Sequence, residues 1–212
     1  MKVAVYTAMS GDYDNVKPPL HIDEDFDYYF FTDNKHLEVP RPYKKVVRDW
    51  DMKRGDKLEK ILIPKEIRGN YDVCVWHDAS MYQTTSLKWL VEKMDRGFAI
   101  PTHKTRDCVT QELDAISYYK KADLGIVNRQ VQSYLNEGFP VNFGLWEAGF
   151  MIRELNNRHV ETVCNAWWNE VASKSMRDQL SLPYVFYKNN FKPNYIPRSA
   201  IRGVYFRVQQ HK

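Results

Sequence analysis

The chain has 212 residues, 43% of them hydrophobic and 14% aromatic, which is enough apolar material for one sizeable folded domain and excludes an intrinsically disordered chain. Its formal net charge of +4 comes from scattered basic residues rather than one basic tract, so it suits an anionic small molecule such as a nucleotide and is too weak to indicate nucleic-acid binding. The three cysteines form no Cys-x-x-Cys pair and no window reaches the length of a membrane span, so we expect no disulfide framework, no membrane span and a reducing compartment such as the cytoplasm.

Strands and helices alternate along the first half of the chain. β-rich runs predict strands over 2–9, 26–33, 43–50 and 71–76. Between the last two strands, apolar residues at positions 58, 61, 62 and 63 have helical spacing and predict a helix that ends near Pro64. The fourth strand, "YDVCVW", is followed directly by His77 and Asp78.

The second half of the chain continues this alternation. The sequence patterns predict helices over 86–94, 105–138, 160–173 and 177–188, strands over 97–103 and 147–154, and then a proline-rich tail. This order predicts a single α/β domain over 1–212, or one excised from a longer protein, with a mostly parallel central sheet flanked by helices. Ligands of such sheets bind beyond the carboxyl ends of the strands.

The first candidate site residue follows the fourth strand. Asp78 lies where that strand reaches the carboxyl edge of the sheet, and the hydroxyl of Ser80 comes two residues later. Oxygen ligands of this kind suit a hard divalent cation, Mg²⁺ or Mn²⁺, which would bind a diphosphate and stabilise the charge that grows on it as it leaves. The alternative is that Asp78 is an ordinary loop residue at the point where the strand surfaces.

Polar side chains at two later positions are further candidates. Glu147 directly precedes an apolar strand, although it is equally explained as a surface residue in a turn. Asp178 and Gln179 fall in the first turn of a predicted helix, beside Arg177, where they can contact sugar hydroxyls. The favourable position of Asp178 at the positive end of the helix dipole is a structural alternative.

Basic residues near the same strand ends can contact phosphate. His103 and Arg106 follow a predicted strand, and either can contact phosphate or a metal ion. Arg54, Lys57 and Lys60 have roughly helical spacing just before the fourth strand, so one or two of them can approach anionic phosphates. For each of these residues, a solvated or structural position is the alternative.

Three motifs, in order along the chain, resemble those of the GT-A nucleotide-sugar glycosyltransferases. "VWHDAS" resembles the strand-plus-Asp-x-Asp segment that binds Mn²⁺ and the sugar-nucleotide diphosphate in that family. "WEAGFMIRELN" and "RDQLSL" are similar to the family's "NAGVLLINL"-type and "DQDILN"-type segments, and the opening "VAVYTA" resembles its uridine-binding first strand. The whole chain also resembles a glycosyltransferase-like domain of plant and bacterial proteins and, more narrowly, the compact glycosyltransferase domain encoded by chlorella viruses.

The resemblance implies a GT-A-like (Rossmann-like) fold and a set of donor-binding residues. Asp78 would bind the metal ion, with Ser80 in place of the family's second Asp and with water or His103 completing the coordination shell. The nucleotide would also contact residues beside this segment and along the first strand: Tyr6, Thr7, Ala8 and Ala79.

The resemblance also implies a reaction. We expect a metal-dependent enzyme that moves a hexosyl unit from a UDP-sugar (UDP-glucose or a related UDP-hexose or UDP-deoxyhexose) to a glycan hydroxyl, in the host cytoplasm if the protein is viral. Glu147, in place of the family's Asn, and the Asp178–Gln179 pair would face the donor sugar or the acceptor. An inverting reaction needs Glu147 or Asp178 as a base, whereas the segment that resembles "DQDILN" favours retention.

Two alternatives come from other functional classes. A nucleotidyltransferase also uses carboxylates at strand ends, but it should show a second metal-binding carboxylate and a glycine-rich phosphate loop. A sugar-nucleotide or glycan-binding module without activity would need Asp78 only as a loop residue. Metal-dependent hydrolysis of a UDP-sugar distinguishes an enzyme from such a module.

Overall fold

Nine strands are present in the computed structural model, which describes residues 1–50 and 55–209. They are β1 (Val3–Met9), β2 (Phe26–Thr32), β3 (Lys44–Val47), β4 (Val73–His77), β5 (Met81–Gln83), β6 (Phe98–Pro101), β7 (Phe150–Glu154), β8 (Asn194–Ile196) and β9 (Phe206–Val208). Seven form the central sheet in the order β3-β2-β1-β4-β7-β6-β8, and β5 pairs with β9 in a separate two-stranded sheet.

The central sheet is mostly parallel. Strands β3, β2, β1 and β4 pair in parallel, as do β6 and β8, while β7 runs antiparallel to both of its neighbours, β4 and β6. All central strands except β7 therefore point the same way, and their carboxyl ends meet at one edge. This confirms the predicted α/β class with a mostly parallel sheet flanked by helices, which is consistent with a Rossmann-like fold.

Helices connect the strands. They are α1 (Gly55–Leu62), α2 (Lys88–Glu92), α3 (Val109–Tyr118), α4 (Leu124–Asn136), α5 (Arg158–Ser173), α6 (Asp178–Lys188) and α7 (Arg198–Ala200), and a π-helical turn follows over Ile201–Tyr205. The predicted helical stretch 105–138 is divided in two, because Asp123 caps α4 by accepting a hydrogen bond from the backbone N–H of Ile126. No helix in the described part of the chain is both long and apolar enough to cross a bilayer.

The two faces of the sheet carry separate hydrophobic clusters. Tyr6 and Trp76 pack on one face, and their sequence neighbours Val5 and Val75 pack on the other. Side chains alternate between the faces of a strand, so β1 and β4 are buried on both sides. This explains why both strands read as continuous apolar runs in the sequence.

Strand β4 ends on a buried histidine. His77 is 1% exposed, its Nε2 lies 3.0 Å from the hydroxyl of Tyr43, and its Nδ1 lies 3.1 Å from the backbone oxygen of Asp78. A carbonyl oxygen only accepts, so Nδ1 carries the proton and Nε2 accepts from the Tyr43 hydroxyl. The imidazole is a structural link beneath the start of the next loop, with both nitrogens occupied.

Burial lowers the pKa of His77 from 6.5 to about 4, which makes stability depend on pH. The unfolded chain takes up this proton near pH 6.5, whereas the folded chain does so only near pH 4. The free energy of unfolding is therefore highest above pH 6.5 and falls by roughly 3 kcal/mol as the pH is lowered to 4. Urea unfolding should show a steeper acid loss of stability in the wild type than in His77→Gln. The exposed His36→Gln variant should follow the wild type, and equal slopes for His77→Gln and wild type would contradict the assignment.

Candidate active site

A cavity of about 720 Å³ opens at the carboxyl edge of the sheet. Its wall is formed by the end of β1, the loop after β4, the residues before β7, one face of α1, the start of α6 and the π-helical turn. It gathers most of the candidate residues predicted from the sequence: Ala8, Lys57, Lys60, Asp78, Ala79, Ser80, His103, Glu147, Asp178 and Gln179. Widely separated segments therefore converge where ligands of parallel sheets bind.

Asp78 has one engaged and one accessible carboxylate oxygen. Its Oδ1 accepts hydrogen bonds from Trp76 Nε1 at 3.2 Å and from Lys60 Nζ at 3.4 Å. Its backbone N–H donates to the carbonyl of Gly149 at 2.9 Å. A Cβ at position 149 would come within 3.1 Å of Oδ2, so glycine at this position leaves room around that oxygen. The side chain is 44% exposed towards the cavity.

Lys60 lies between two carboxylates. Its Nζ is 2.9 Å from Asp178 Oδ2 and 3.4 Å from Asp78 Oδ1, and it lies 5.7 Å from the centroid of the Trp76 ring. Lys57, one helical turn earlier, places its Nζ 3.2 Å from Asp178 Oδ1. Helix α1 thus presents two ammonium groups along one face to the cavity.

These ion pairs fix the protonation states of the buried members. Burial raises the pKa of Asp178, but Lys57 and Lys60 outweigh it and hold that pKa far below the usual range of a carboxyl group. Burial likewise lowers the pKa of Lys60, but Asp178 and Asp78 outweigh it and raise the pKa. Asp178 therefore remains an anion and is a poor acceptor for a proton.

A fully buried arginine holds the end of α1 in place. Arg153 donates to the backbone oxygens of Lys60 at 2.7 Å and Ile61 at 2.9 Å, and also to the hydroxyl of Tyr6. That hydroxyl lies 3.3 Å from the backbone oxygen of Glu59. A cation at the carboxyl end of a helix satisfies its last carbonyls and interacts favourably with the helix dipole. Arg153 thereby fixes the helix that carries both lysines.

Glu147 is paired with two arginines. Its Oε1 lies 2.6 Å from Arg198 Nε and its Oε2 lies 3.2 Å from Arg202 Nη2, both from the segment around the π-helical turn. His103 Nε2 lies 3.8 Å from Oε1 of the same carboxylate. The backbone N–H of Arg106 donates to His103 Nδ1, so Nε2 carries the proton of the neutral ring. Burial and Arg106 lower the pKa of His103, which keeps the ring neutral at pH 7.

A further buried carboxylate, Glu112, contacts side chains at the rim of the cavity near α6. Glu112, on α3, accepts from Arg106 Nε at 2.8 Å and from Gln179 Nε2 at 3.0 Å, and lies 3.6 Å from Arg177 Nη2. Arg106 is therefore engaged beside the cavity, whereas Gln179 and Arg177 remain in its wall. The predicted contact between Arg106 and phosphate would require this ion pair to open.

The structure places the first-strand candidates unevenly. Ala8 lines the cavity, whereas Tyr6 and Thr7 are buried beneath it, and the Tyr6 hydroxyl is committed to Arg153. Of these three residues, only Ala8 is therefore placed to contact a ligand in the cavity. Arg54 lies outside the described residues.

Sequence reasoning missed the arginines that hold Glu147. Arg198 and Arg202 come from the tail that reads as proline-rich and irregular, where no periodic pattern signals a helix or strand. The cues present, Pro197 before a short helical turn and the arginines spaced four residues apart, were too local to indicate a site. Arg153 was missed because it follows the apolar run 150–152 in β7, and no local pattern shows that its side chain is buried.

The oxygen atoms that the cavity offers to a metal ion are too few to hold it alone, so they would suit a cation that a phosphate-containing molecule also coordinates. No cluster of three or more His, Cys, Asp or Glu side chains suited to a metal ion occurs within residues 1–50 and 55–209. The cavity offers Asp78 Oδ2, around which Gly149 leaves room, and the nearby side chain of Ser80. These residues fit a cation whose remaining ligands are water and phosphate oxygens, as is usual for Mg²⁺.

The charges of the described cavity wall balance. Five carboxylates face five cationic side chains: Asp14, Asp56, Asp78, Glu147 and Asp178 against Lys57, Lys60, Lys121, Arg177 and Arg202. A diphosphate would add negative charge to this neutral wall, and a divalent cation would offset it.

Comparison with protein families places most of the chain in one family. The model of the TOD1/MUCI70 glycosyltransferase-like domain matches residues 45–198, more than half of the chain. The chain belongs to this family. Membership points to glycosyl transfer in general, and so to a transferase acting on sugar substrates. A search of curated proteins returned no match.

The matched region of the TOD1/MUCI70 domain contains most of the cavity wall. It runs from β3 to the first residue of α7 and includes Asp78, Glu147 and Asp178. Strands β1 and β2 and the segment with Arg202 lie outside it. The matched range thus includes the three carboxylates, while part of the first-strand side and the Arg202 side of the cavity lie beyond it.

Removing the guanidinium of Arg153 should destabilise the fold strongly. In Arg153→Met the carbonyls at the end of α1 and the Tyr6 hydroxyl lose their buried donor, which should cost about 3–5 kcal/mol. Urea unfolding monitored by circular dichroism measures this cost. The exposed Arg158→Met, at the start of α5, is the matched control and should change stability little. An Arg153→Met midpoint equal to that of the control would show that the buried contacts carry no net stabilisation.

Proposed function

We propose that this chain transfers a hexosyl unit from a UDP-sugar, UDP-glucose or a related UDP-hexose or UDP-deoxyhexose, to a hydroxyl of a glycan, in a GT-A-like fold and with a divalent cation. The observation that carries the proposal is the buried Lys60 ammonium between Asp78 and Asp178 at the base of the cavity. An accessible carboxylate oxygen beside fixed cations suits a diphosphate with its counterion. The family membership supports the reaction class.

The chain's own residues would bind and orient the donor. Lys57 and Lys60 supply positive charge where the diphosphate would lie, and Asp178 holds both ammonium groups in position. Asp78 and Ser80 would hold Mn²⁺ or Mg²⁺, which supplies Lewis acidity to the departing diphosphate. Because these charges are already in place, they can stabilise the leaving group without reorganisation.

The pairing of the carboxylates favours retention of the anomeric configuration. An inverting transferase needs a base to remove the acceptor proton. Asp178 is held as an anion by two lysines, and each oxygen of Glu147 contacts an arginine, so neither carboxylate has an oxygen free of a cation for the acceptor hydroxyl. We therefore propose front-face substitution: the bond from the anomeric carbon to the β-phosphate oxygen breaks, the acceptor oxygen bonds to the same face, and the phosphate oxygen takes the acceptor's proton.

The same pairing weighs against the nucleotidyltransferase alternative. That chemistry needs a second carboxylate free to hold a metal ion near the first. Asp178 is the acidic side chain that shares Lys60 with Asp78, and both of its oxygens face ammonium groups.

We also propose a reducing compartment such as the cytoplasm for the reaction, which is supported by three buried and unpaired cysteines.

Loss of the Asp78 charge should abolish the proposed activity without unfolding the protein. In Asp78→Asn, Mn²⁺-dependent hydrolysis of the best UDP-sugar in a panel should fall by at least about 100-fold. Calorimetry should show that Mn²⁺ tightens UDP binding to the wild type and has no such effect on the variant. The exposed Asp25→Asn is the matched control. Unchanged hydrolysis in Asp78→Asn would remove the central assignment, and a wild type that binds UDP-sugars without turnover would favour the binding-module alternative.

The stereochemistry of the released sugar tests the proposed mechanism. Proton NMR during hydrolysis of the donor should show the released sugar first in the donor's own anomeric configuration, before mutarotation. Appearance of the opposite anomer would require a protein base and would return Glu147 to that role. A parallel sample of the donor in buffer supplies the rate and stereochemistry of the uncatalysed reaction.

A further inference from the structure

Two exposed tyrosines lie next to the cavity. Tyr118 ends α3 and Tyr119 follows it, and they are 80% and 61% exposed. Their rings are 4.9 Å apart at an angle of 88°. The Nζ of Lys121, a residue of the cavity wall, lies 5.0 Å from the centroid of the Tyr119 ring. The aromatic pair is thus continuous with the cavity through Lys121.

The turn that carries these residues is anchored to the core. Lys121 donates its backbone N–H to the carbonyl of Ile116 at 3.0 Å, and Ile116 is fully buried. Lys120 has a φ of 51°, a left-handed conformation in which helix ends usually place glycine. The strained backbone at Lys120 therefore determines the direction in which the next residue, Lys121, leaves the helix end.

Helix α3 is also tied to the cavity from its other end. Glu112, on α3, accepts from Gln179 at the start of α6 and pairs with Arg177 in the cavity wall. The helix that ends in Tyr118 is therefore fixed relative to the site by contacts at both ends. A binding surface on such a helix keeps its distance from the cavity without having to be ordered by its ligand.

Exposed aromatic rings occur in the cavity wall and beside it. Among the described residues, five aromatic side chains are more than half exposed: Tyr13, Trp89, Tyr118, Tyr119 and Tyr195. Tyr13 lines the cavity, and Tyr118 and Tyr119 adjoin it. A sugar ring has apolar C–H faces and a rim of hydroxyls, so it suits an aromatic face beside a lysine donor.

We propose that Tyr118, Tyr119 and Lys121 form a subsite for a sugar ring of the acceptor glycan, beyond the sugar that receives the hexosyl unit. The inference rests on the proposed glycosyl transfer, in which the donor occupies the cavity near Asp78 and Lys60. The acceptor then approaches from the rim, and the tyrosine pair binds the part of its chain that extends out of the cavity. The surface selects glycans of more than one sugar over monosaccharides.

Acceptor kinetics test this subsite. Donor turnover with Mn²⁺ is measured in water alone and with a panel of gluco-, xylo-, manno- and galacturono-oligosaccharides, and the most stimulating oligosaccharide is used as the acceptor. The double variant Tyr118→Ala, Tyr119→Ala should raise the acceptor KM about tenfold, because both stacking surfaces are lost. The kcat, the UDP affinity and the hydrolysis in water should stay unchanged. Lys121→Ala should raise the same KM.

Conservative and distant variants separate stacking from general damage. The double variant Tyr118→Phe, Tyr119→Phe keeps the rings and should keep the wild-type KM, and Tyr195→Ala removes an equally exposed ring on β8 and should have no effect. An unchanged KM in the alanine variant, or a panel in which no oligosaccharide stimulates turnover, overturns the subsite. Absence of both UDP binding and donor hydrolysis in the wild type instead overturns the proposed function, so the two failures are distinguishable.

Discussion

The ammonium group of Lys60, shared between Asp78 and Asp178, is the interaction on which the rest of the site depends. It joins the loop after β4 to the start of α6, two segments that are a hundred residues apart in the sequence. A buried carboxylate without a partner is costly, and removal of one member leaves the other uncompensated. Lys60 and Asp178 therefore hold each other in their charged forms, and Asp78 places a second anion beside the same ammonium group. The position of α1, which Arg153 fixes through the carbonyls at its end, decides where this cation lies.

The parts of this arrangement that depend on local pattern could be predicted from the sequence. A buried strand that ends abruptly in Asp78 places a carboxylate at the edge of a parallel sheet, because all parallel strands expose their carboxyl ends together. Asp178 and Gln179 follow from the helix start in the same way. The sheet class itself follows from the alternation of strands and helices.

The remaining parts depend on contacts that no local pattern encodes. Strands β5, β8 and β9 have three residues each, too few to show a period, and more than half of the chain's length separates β5 from its partner β9. Tyr6 was predicted to contact the nucleotide. Because side chains alternate between the two faces of β1, its side chain points into the core. Whether a buried polar residue faces a site or the interior is decided by its partner, here Arg153, and that partner lies far away in the sequence.

The pairing of the acidic side chains gives the cavity its chemical character. In water an isolated carboxylate is a weak base, and each cation placed beside it makes it weaker still. Asp178 has two such cations, both supplied by α1, and the oxygens of Glu147 contact two arginines of the C-terminal segment. The family match contains both carboxylates and ends at Arg198, before Arg202. Helix α1 therefore lies inside the matched range, whereas the pairing of Glu147 is completed by a residue outside it. A change in that outer segment would alter the charge around Glu147 while leaving the Lys60 interaction intact. The two charged clusters of the cavity can therefore vary independently of each other.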